Sequence, residues 1–370
     1  MTAEVALHIL HVIDSLDVGG AERSLVEISR VVRSAGCRVS VCATRRLGPM
    51  AERLPPDVRT RCLGRRSRWD WRSLTRFAEL VENDAPDVLH VHGRSSLRFV
   101  AAVRKFADCR TPVLAHDHWG GGPAGGWPAR WTRNRSQRYV VCSEGQRQSV
   151  RRAGISAAAV DLIPGALDLT PATPIAVDLR ARLHVPDGVL LGVTVGGIRP
   201  EKGLDVLLVA LARCRLKRQV HLLVVGGSRD PRYFKRCAKM AAQPELAALV
   251  TFAGEREQIV AELPSADFAV HSSLVESGPL ALIEYLAAGL PVVCTTAGEL
   301  AQQASAAGLE HFVRPGDPQG LRQGIEEIAQ MTDKTLRERG SRGREFALAH
   351  FDIRHRIPAW LSAYEKTCAC

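Results

Sequence analysis

Short runs of apolar and β-branched residues recur along the chain, and a helical pattern of apolar positions follows most of them. The first helical pattern keeps Leu25, Ile28 and Val32 on one stripe and stops at Gly36. Continuous apolar strands that alternate with helices are typical of parallel sheets covered on both faces. The predicted strands are 5–13, 38–44, 87–93, 112–118, 139–143 and 160–165 in the first half, and 189–198, 220–227, 250–255, 267–273, 291–296 and 312–316 in the second.

Two such series of strands and helices are separated by the polar, proline-rich segment 166–178. They predict an α/β protein with two doubly wound parallel-sheet domains and a linker. We expect the first domain over residues 1–168 and the second over 178–351, with an amphipathic helix in 352–370 packing back on the first. Open parallel sheets bind ligands beyond the carboxyl ends of their strands, so two facing domains place the site in a central cleft.

The composition is that of an ordinary globular enzyme, with 370 residues, 46% of them apolar and 24% charged. No apolar run reaches the roughly 18 residues that a membrane span needs. The opening segment lacks the basic region of a signal peptide. The ten cysteines are scattered without a CxxC pair, which indicates mostly buried thiols in a reducing compartment. We therefore expect a cytoplasmic protein.

The net charge of +11 is concentrated in residues 1–170, which hold 26 Lys and Arg against 17 Asp and Glu. A solvated basic face, an anionic membrane surface, a phosphate-bearing acceptor and nucleic acid are the alternative explanations. No pattern of a nucleic-acid-binding module accompanies the charge, so no nucleic-acid partner is expected. The cluster with the clearest membrane character is Arg65, Arg66 and Arg68, next to Trp69 and Trp71.

The stretch HSSLVESGPLALIEYLAAGLPVVCTT, residues 271–296, reads as a buried helix followed by a buried strand. Ser277 is predicted to cap the helix, Pro279 suits its first turn, and Gly289 terminates it. Free backbone amides at such a helix start form an anion site for a phosphate. The residues of this predicted site are Ser277, Gly278, Pro279 and Leu280.

Two carboxylates accompany this helix. Glu276 lies at the mouth of the anion site, whereas Glu284 sits more than a turn inside an apolar helix, without a basic neighbour in the sequence. Burying an unpaired carboxylate costs several kcal/mol, so such a group usually has a partner or a ligand. A ribose diol would satisfy Glu284; exposure of its side chain to water through a gap in the packing is the alternative.

Histidines mark the ends of two predicted strands, His90 and His92 on one and His116 and His118 on the other. Four imidazoles together with Asp117 are able to form a metal site, so a metal-dependent hydrolase on a similar fold is the contrasting hypothesis. A hydrolytic site usually adds several carboxylates, and Asp117 is alone here. Hydrogen bonding at the strand ends is the expected role of His90 and His92.

The spacing of Glu276 and Glu284, followed by AAGLPVV, resembles the signature of the retaining glycosyltransferases of the GT-B fold, family 4, also called glycosyl transferases group 1. Three further segments resemble the same family in the same order. They are DSLDVGGAERSLVEIS, its first glycine-rich loop; PVLAHDHWGGG, its strand ending in an active-site histidine; and VGGIRPEKGLDVLLVAL, its diphosphate-binding loop. The resemblance covers residues 7–364 and implies a GT-B fold of two Rossmann-like domains.

The resemblance also implies roles for individual residues. Glu276 would bind the hydroxyls of the transferred sugar, Glu284 the nucleotide ribose, and Lys202 the diphosphate leaving group. Family spacing makes His118 the cleft histidine, in contact with the donor sugar or the acceptor. Arg199 is the candidate replacement for an arginine that the family carries where this chain has Gly197. The implied catalytic residues are Glu276, His118 and Lys202, and the donor-binding set adds Gly19, Gly20, Gly197, Arg199, Ser277, Gly278, Pro279, Leu280 and Glu284.

The implied reaction is retaining transfer of a sugar from a UDP- or GDP-linked donor to a glycan, lipid-linked or other hydroxyl acceptor in cell-surface or extracellular polysaccharide biosynthesis. No DxD motif is present, and the family is similar in using Lys, Arg and helix amides in place of a metal, so neither a metal nor a cofactor is expected. The acceptor would be reached at the inner face of the membrane through the basic first domain. A non-catalytic, sugar-nucleotide-binding protein of the same fold is the remaining alternative.

Overall fold

The structure, a computed structural model, describes residues 7–67, 70–118, 136–170, 179–228, 230–256, 258–309 and 311–370. The chain divides into two compact units. The first unit comprises Met1–Asp168 together with Ile353–Cys370, and the second comprises Leu169–Asp352.

The first unit contains a parallel sheet with the strand order β3-β2-β1-β4-β5-β6-β7. Every described pair of neighbouring strands is parallel. The strands are β1 (His8–Ser15), β2 (Arg38–Arg46), β3 (Arg59–Cys62), β4 (Val88–His92), β5 (Val113–Asp117), β6 (Arg138–Val141) and β7 (Val160–Leu162). The helices include α1 (Gly20–Ser34), α2 (Trp71–Asp84), α3 (Gly93–Phe106), α4 (Glu144–Arg152) and a C-terminal helix (Ile357–Cys368).

The second unit contains a parallel sheet with the order β10-β9-β8-β11-β12-β13. Its strands are β8 (Leu190–Val195), β9 (Val220–Val225), β10 (Val250–Gly254), β11 (Phe268–His271), β12 (Val292–Thr295) and β13 (Phe312–Val313). The helices include α5 (Leu179–Arg182), α6 (Leu204–Leu211), α7 (Pro231–Ala241), α8 (Ile259–Glu262), α9 (Leu280–Ala287), α10 (Glu299–Ala306), α11 (Pro318–Ile328) and α12 (Asp333–Phe351).

The two doubly wound parallel sheets predicted from the sequence are confirmed, and each of the twelve predicted strands overlaps an observed one. The sequence pattern missed β3. This strand is short and reads Arg-Thr-Arg-Cys, and it lies at the edge of the first sheet with Arg59, Arg61 and Cys62 exposed. An edge strand with one partner carries charged residues because it has little apolar surface to bury.

The C-terminal helix belongs to the apolar core of the first unit. The chain returns at Ile353, whose N–H donates to the carbonyl of Leu167 at 2.9 Å. Trp360 and Tyr364 then lie fully within the core that packs on β1 and α1, at 3% and 0% exposure. None of the helices in the described part of the chain is long and apolar enough to cross a membrane.

Replacing Trp360 with alanine should therefore destabilise the first unit, because it removes a large side chain from a closely packed core. We expect a loss of about 3–5 kcal/mol, measured by urea unfolding. Trp71→Ala is the matched control, since the Trp71 side chain is 55% exposed and its removal should cost about 1 kcal/mol or less. Equal losses in the two variants would contradict the placement of the C-terminal helix.

Candidate active site

The strand order reverses at one place in each sheet, between β1 and β4 in the first unit and between β8 and β11 in the second. Loops after the carboxyl ends of strands diverge at such a switch point, and they leave a crevice there. The glycine pair Gly19-Gly20 follows β1, and the pair Gly196-Gly197 follows β8. Most of the predicted site residues are thereby brought to the switch point of one sheet or the other.

The loop after β8 is tied closely to the loop after β11. The loop forms a 3-10 turn, Pro200–Lys202, and the Ser272 hydroxyl donates to the carbonyl of Lys202 at 3.0 Å. Gly203 follows with φ 62°, and a Cβ there would lie 2.3 Å from the carbonyl oxygen of Ser272. Only glycine fits this close approach without a shift of the backbone, so the turn holds Lys202 beside the β11 loop.

Glu276 is the centre of a partly buried polar cluster in the second unit. Its Oε1 atom pairs with Lys202 Nζ, accepts from the Ser273 hydroxyl at 2.8 Å and lies 3.3 Å from His271 Nε2. Burial alone would raise the pKa of Glu276, but the hydrogen bond of His271 and the charge of Lys202 outweigh it and lower the pKa well below its usual range. Glu276 is therefore a carboxylate at neutral pH.

A cavity lies next to this cluster, within the second unit. Lys202, His271 and Ser273 line it together with the backbone of Gly196 and Gly197. Gly197 and Arg199 are both exposed, whereas Ile198 between them is buried in the core. The cavity thus combines a lysine, a glycine-rich loop and the contacts of a buried carboxylate.

The helix that carries Glu284 begins three residues later than Ser277. Its N-cap is Pro279, which has no side chain able to cap it, so the prediction that Ser277 is the N-cap is wrong. The Glu276 loop continues through Gly278, so the chain turns into the helix only at Leu280. Gly289 ends the helix as predicted, with φ 74°. Glu284 is half-buried, so its side chain is neither fully enclosed by the protein nor fully exposed to water.

Two residues of this cluster were missed by the sequence reasoning. His271 ends β11 and touches Glu276, and its signal was a histidine at the carboxyl end of a predicted apolar strand. Gly298 has φ 86°, and a Cβ there would lie 2.9 Å from the Cβ of Glu276. Its signal was a glycine directly after the predicted strand that became β12.

In the first unit, the glycine loop after β1 leads into α1. Gly19 is the N-cap of α1, and its carbonyl accepts from the Arg23 amide at 2.9 Å. A Cβ at Gly20 would meet no atom within 4 Å, whereas a Cβ at Gly19 would lie 2.3 Å from a carboxylate oxygen of Glu22, so an acidic side chain already lies against the helix start. Binding of an anion by the amides of this helix start stays a prediction, and it requires the Glu22 carboxylate to move aside.

The structure contradicts the membrane role predicted for Arg65. Its side chain is 3% exposed, it pairs with Asp14 at 2.6 Å, and its guanidinium lies 5.0 Å from the centre of the Phe99 ring. The chain folds back after β3, and this places Arg65 over the carboxyl end of β1. Arg66 is exposed, as predicted, and Arg68 lies outside the described residues.

Five histidines form a polar layer on one face of the first sheet; four of them are buried, and His118, just after β5, is partly buried. His11 lies beside His90 in the register of β1 and β4, and His92 lies beside His116 in the register of β4 and β5. Nitrogen atoms of His11 and His92 are 2.9 Å apart, as are those of His92 and His118. The sequence reasoning missed His11, although it shares the alternation of Ile9 and Ile13 on the same strand.

The distances between nitrogen atoms in the histidine layer are relevant to the hypothesis of a metal site. Two triads, His11 with His90 and His92 and His92 with His116 and His118, bring their nitrogen atoms within 4.8 Å of one another. Two imidazoles on a tetrahedral zinc ion would hold their nitrogens about 3.3 Å apart, as bond lengths of about 2.0 Å require. The separations of 2.9 Å are those of hydrogen bonds between the rings.

Two family models match the chain. Residues 18–170 match Glycosyltransferase Family 4, and residues 178–346 match Glycosyl transferases group 1. The matched ranges cover most of both units. These matches do not favour the alternative of a metal-dependent hydrolase. The histidines that a hydrolase would use belong to a chain that matches glycosyltransferase models both before and after the linker.

Curated relatives and solved structures agree with this assignment. A D-inositol 3-phosphate glycosyltransferase of Streptomyces coelicolor is 31% identical over 43% of this chain, and an MMP alpha-(1->4)-mannosyltransferase of Mycolicibacterium hassiacum is 31% identical over 46%. The matched stretch spans only 36% and 41% of those relatives' own lengths.

The structure of Anabaena HepE in complex with UDP and glucose superposes with a TM-score of 0.80 at 21% identity, covering 96% of this chain and 100% of HepE. A glycosyltransferase of Rickettsia africae gives 0.81 at 17% identity, covering 98% and 99%. At these identities the two structures show the fold.

The histidine layer should make the protein sensitive to mild acid. Burial lowers the pKa of His118 to about 4 and that of His11 to about 3, and it lowers the pKa values of His90, His92 and His116 as well. The unfolded chain binds more protons below its histidine pKa of about 6.5, so stability falls as the pH falls through that value. Each buried histidine contributes a loss of about 1.4 kcal/mol per pH unit.

Urea midpoints at pH 7.5 and pH 5.5 measure this loss, and the midpoint at pH 5.5 should be clearly lower. His355→Gln is the control, because His355 is exposed and the variant should keep the full pH dependence. A midpoint that does not change between the two pH values would contradict the neutral, buried state of the layer.

Proposed function

We propose, because this chain belongs to the family 4, group 1 glycosyltransferases, that it transfers a sugar from a nucleotide-sugar donor to a hydroxyl acceptor. One observation carries the proposal. Glu276 is held as a carboxylate by Lys202, His271 and Ser273, next to a cavity at the switch point of the second sheet. Structural likeness to a protein bound to UDP and glucose supports a UDP-linked donor.

The contacts of Glu276 indicate how a donor would be received. The described contacts of this carboxylate all fall on Oε1, which leaves Oε2 for a hydroxyl of the transferred sugar. A diphosphate carries more negative charge than one carboxylate and attracts the Lys202 ammonium away from it. His271 and Ser273 then keep Glu276 in place while Lys202 binds the leaving group.

The remaining predicted residues complete the donor site. Glu284 accepts hydroxyls of the ribose, and Arg199 adds a second cation for the diphosphate. The backbone at Gly197 allows a phosphate to approach, as do the amides at the start of α9, which belong to Gly278 and Leu280. In the first unit, Gly19 and Gly20 keep their predicted role at a phosphate, and His118 its predicted role at the sugar or the acceptor.

The proposed reaction is a retaining displacement without a metal. The bond between the anomeric carbon and the diphosphate oxygen breaks, and the acceptor oxygen forms its bond on the same face of the sugar. The proton of the acceptor hydroxyl passes to the departing phosphate oxygen. Lys202 and backbone amides stabilise the negative charge that grows on the leaving group, which lowers the barrier.

The acceptor is a hydroxyl-bearing molecule of one of two kinds. The curated relatives are named for D-inositol 3-phosphate and mannosyl transfer, which favours a small phosphorylated polyol or a saccharide. A lipid-linked or surface glycan is the second kind, and it matches a basic first unit. Product analysis with UDP-glucose and each class of acceptor, with and without EDTA, decides between them and tests whether transfer needs a metal.

Variants of Glu276 and Glu284 should affect different quantities, one the turnover and the other the affinity for UDP. Glu284→Gln should weaken UDP binding about 10- to 100-fold, the scale of a lost hydrogen bond to a charged group. Glu276→Gln should leave UDP affinity nearly unchanged and reduce turnover, because its oxygen faces the sugar. Titration calorimetry and a sugar-transfer assay measure the two effects, with Glu338→Gln on exposed α12 as control. Equal loss of UDP affinity in both variants would show that the roles are wrongly divided.

The first unit also offers a surface for an anionic membrane, and we extend the proposal to it. Trp71 and Phe106 are 55% and 53% exposed, and their rings meet edge to face at 4.6 Å. Arg72 and Arg76 are exposed one helical turn apart on α2, and Arg66 is exposed just before it. Exposed aromatic rings beside arginines suit the interface of an anionic bilayer.

Arg72→Glu with Arg76→Glu should release the protein from anionic vesicles at low salt, because each arginine near the surface contributes about 1 kcal/mol. Co-sedimentation with phosphatidylserine vesicles measures the binding. Arg337→Glu, an exposed arginine of the second unit, is the control. Wild-type protein that stays in solution with these vesicles would favour a soluble acceptor and leave the basic surface without a membrane role.

A further inference from the structure

We propose that His11 and His92 form a hydrogen-bonded chain that fixes which ring nitrogen of His118 carries the proton. His11 and His92 are then positioning residues, and His118 is the ring whose tautomer they set. The consequence for sugar transfer rests on the proposed function, which assigns His118 to the sugar or the acceptor. The tautomer itself does not depend on that function.

The geometry gives the chain its connectivity. His11 Nδ1 lies 2.9 Å from His92 Nε2, and His92 Nδ1 lies 2.9 Å from His118 Nε2. The rings of His92 and His118 are stacked, 5.1 Å apart at 10°. A neutral imidazole has one N–H donor and one acceptor, so every ring in the chain must donate in the same direction. Only two arrangements of protons are possible.

The buried end of the chain selects between them. His11 is 0% exposed, and its Nε2 has no hydrogen-bond partner among the residues that the structure describes. If the chain ran from His118 towards His11, the proton of His11 would sit on Nε2 as a buried N–H without an acceptor. A buried, unpaired N–H is rarer and more costly than a buried, unpaired lone pair.

The chain therefore runs outward. His11 donates from Nδ1 to His92, and His92 donates from Nδ1 to His118 Nε2. His118 accepts at Nε2 and carries its own proton on Nδ1. Because burial keeps these rings neutral at pH 7, His118 carries its N–H at Nδ1 and no positive charge.

The same layer contains a second hydrogen-bonded chain, and its donor-to-acceptor direction is set independently of the first. Tyr364 Oη lies 2.9 Å from His90 Nδ1, His90 Nε2 lies 3.3 Å from His116 Nδ1, and His116 Nε2 lies 3.4 Å from Cys142 Sγ. The Cys142 thiol in turn donates to the carbonyl of Asp117 at 3.8 Å. With Tyr364 as the first donor, every bond in this chain is satisfied. It offers a buried control chain, and none of these four hydrogen bonds includes His118.

Nitrogen-15 NMR of histidine-labelled protein reads the tautomer directly. In the wild type, His118 Nε2 should show the shift of an unprotonated nitrogen and Nδ1 that of a protonated one. His11→Phe removes the first donor and should convert the His118 signals to the average of two tautomers. His11→Asn restores an N–H near the position of Nδ1 and should restore the wild-type pattern. Tyr364→Phe, which removes the donor of the second chain, should leave the His118 signals unchanged.

A wild-type His118 protonated on Nε2 would overturn the inference, as would an unchanged His118 tautomer in folded His11→Phe. The transfer rate separates this inference from the proposed function. If both hold, His11→Phe should reduce kcat about tenfold with little change in the KM for the donor, the size expected for one misplaced neutral hydrogen bond. If the wild type shows the predicted tautomers but transfers no sugar, the hydrogen-bonded chain of histidines is supported and the proposed function is contradicted.

Discussion

The ion pair between Lys202 and Glu276 is the interaction on which the second unit's site depends. It joins the loop after β8 to the loop after β11, and these are the two central strands at the switch point of the sheet. Gly203 permits the close approach of the two loops, and Ser272, Ser273 and His271 hold the atoms around the pair. A partly buried pair of this kind contributes little net stability, because desolvation of the charges offsets their attraction. Its value lies in placing a cation and a carboxylate where a charged ligand can exchange partners with them.

The first unit holds its polar groups differently. Its histidine layer contains no carboxylate in the two hydrogen-bonded chains, and imidazoles on adjacent strands hydrogen-bond to one another. Parallel register makes this possible, because His11 and His90 lie side by side, as do His92 and His116. The layer is stable only while its rings are neutral, and it is enclosed by Trp360 and Tyr364 of the returning C-terminal helix. The last helix of the chain thereby helps to set the environment of a site formed near its beginning.

Local patterns predicted much of this architecture. The apolar strands and the glycines at helix ends gave both sheets, since burial on two faces demands nearly continuous apolar runs. Glu276 was found because it lies just before a predicted helix, whereas Lys202 and the Gly19-Gly20 loop were found through the resemblance of their segments to family 4. The contacts made by pairs of side chains were not predictable in this way. Arg65 was expected at the surface, and its partner Asp14 is 51 positions earlier in the chain. His11 and His271 were overlooked, because the role of a histidine inside an apolar strand depends on the side chains that neighbouring elements place beside it.

A structure with a UDP-sugar bound tests the central claim most directly. The account predicts that the diphosphate lies beside Gly197, that Lys202 Nζ has moved from Glu276 Oε1 to a phosphate oxygen, and that Glu276 still contacts His271 and Ser273 while Oε2 accepts a sugar hydroxyl. A nucleotide bound elsewhere, or bound at this cavity with the Lys202–Glu276 pair unbroken, would contradict the proposed role of the pair.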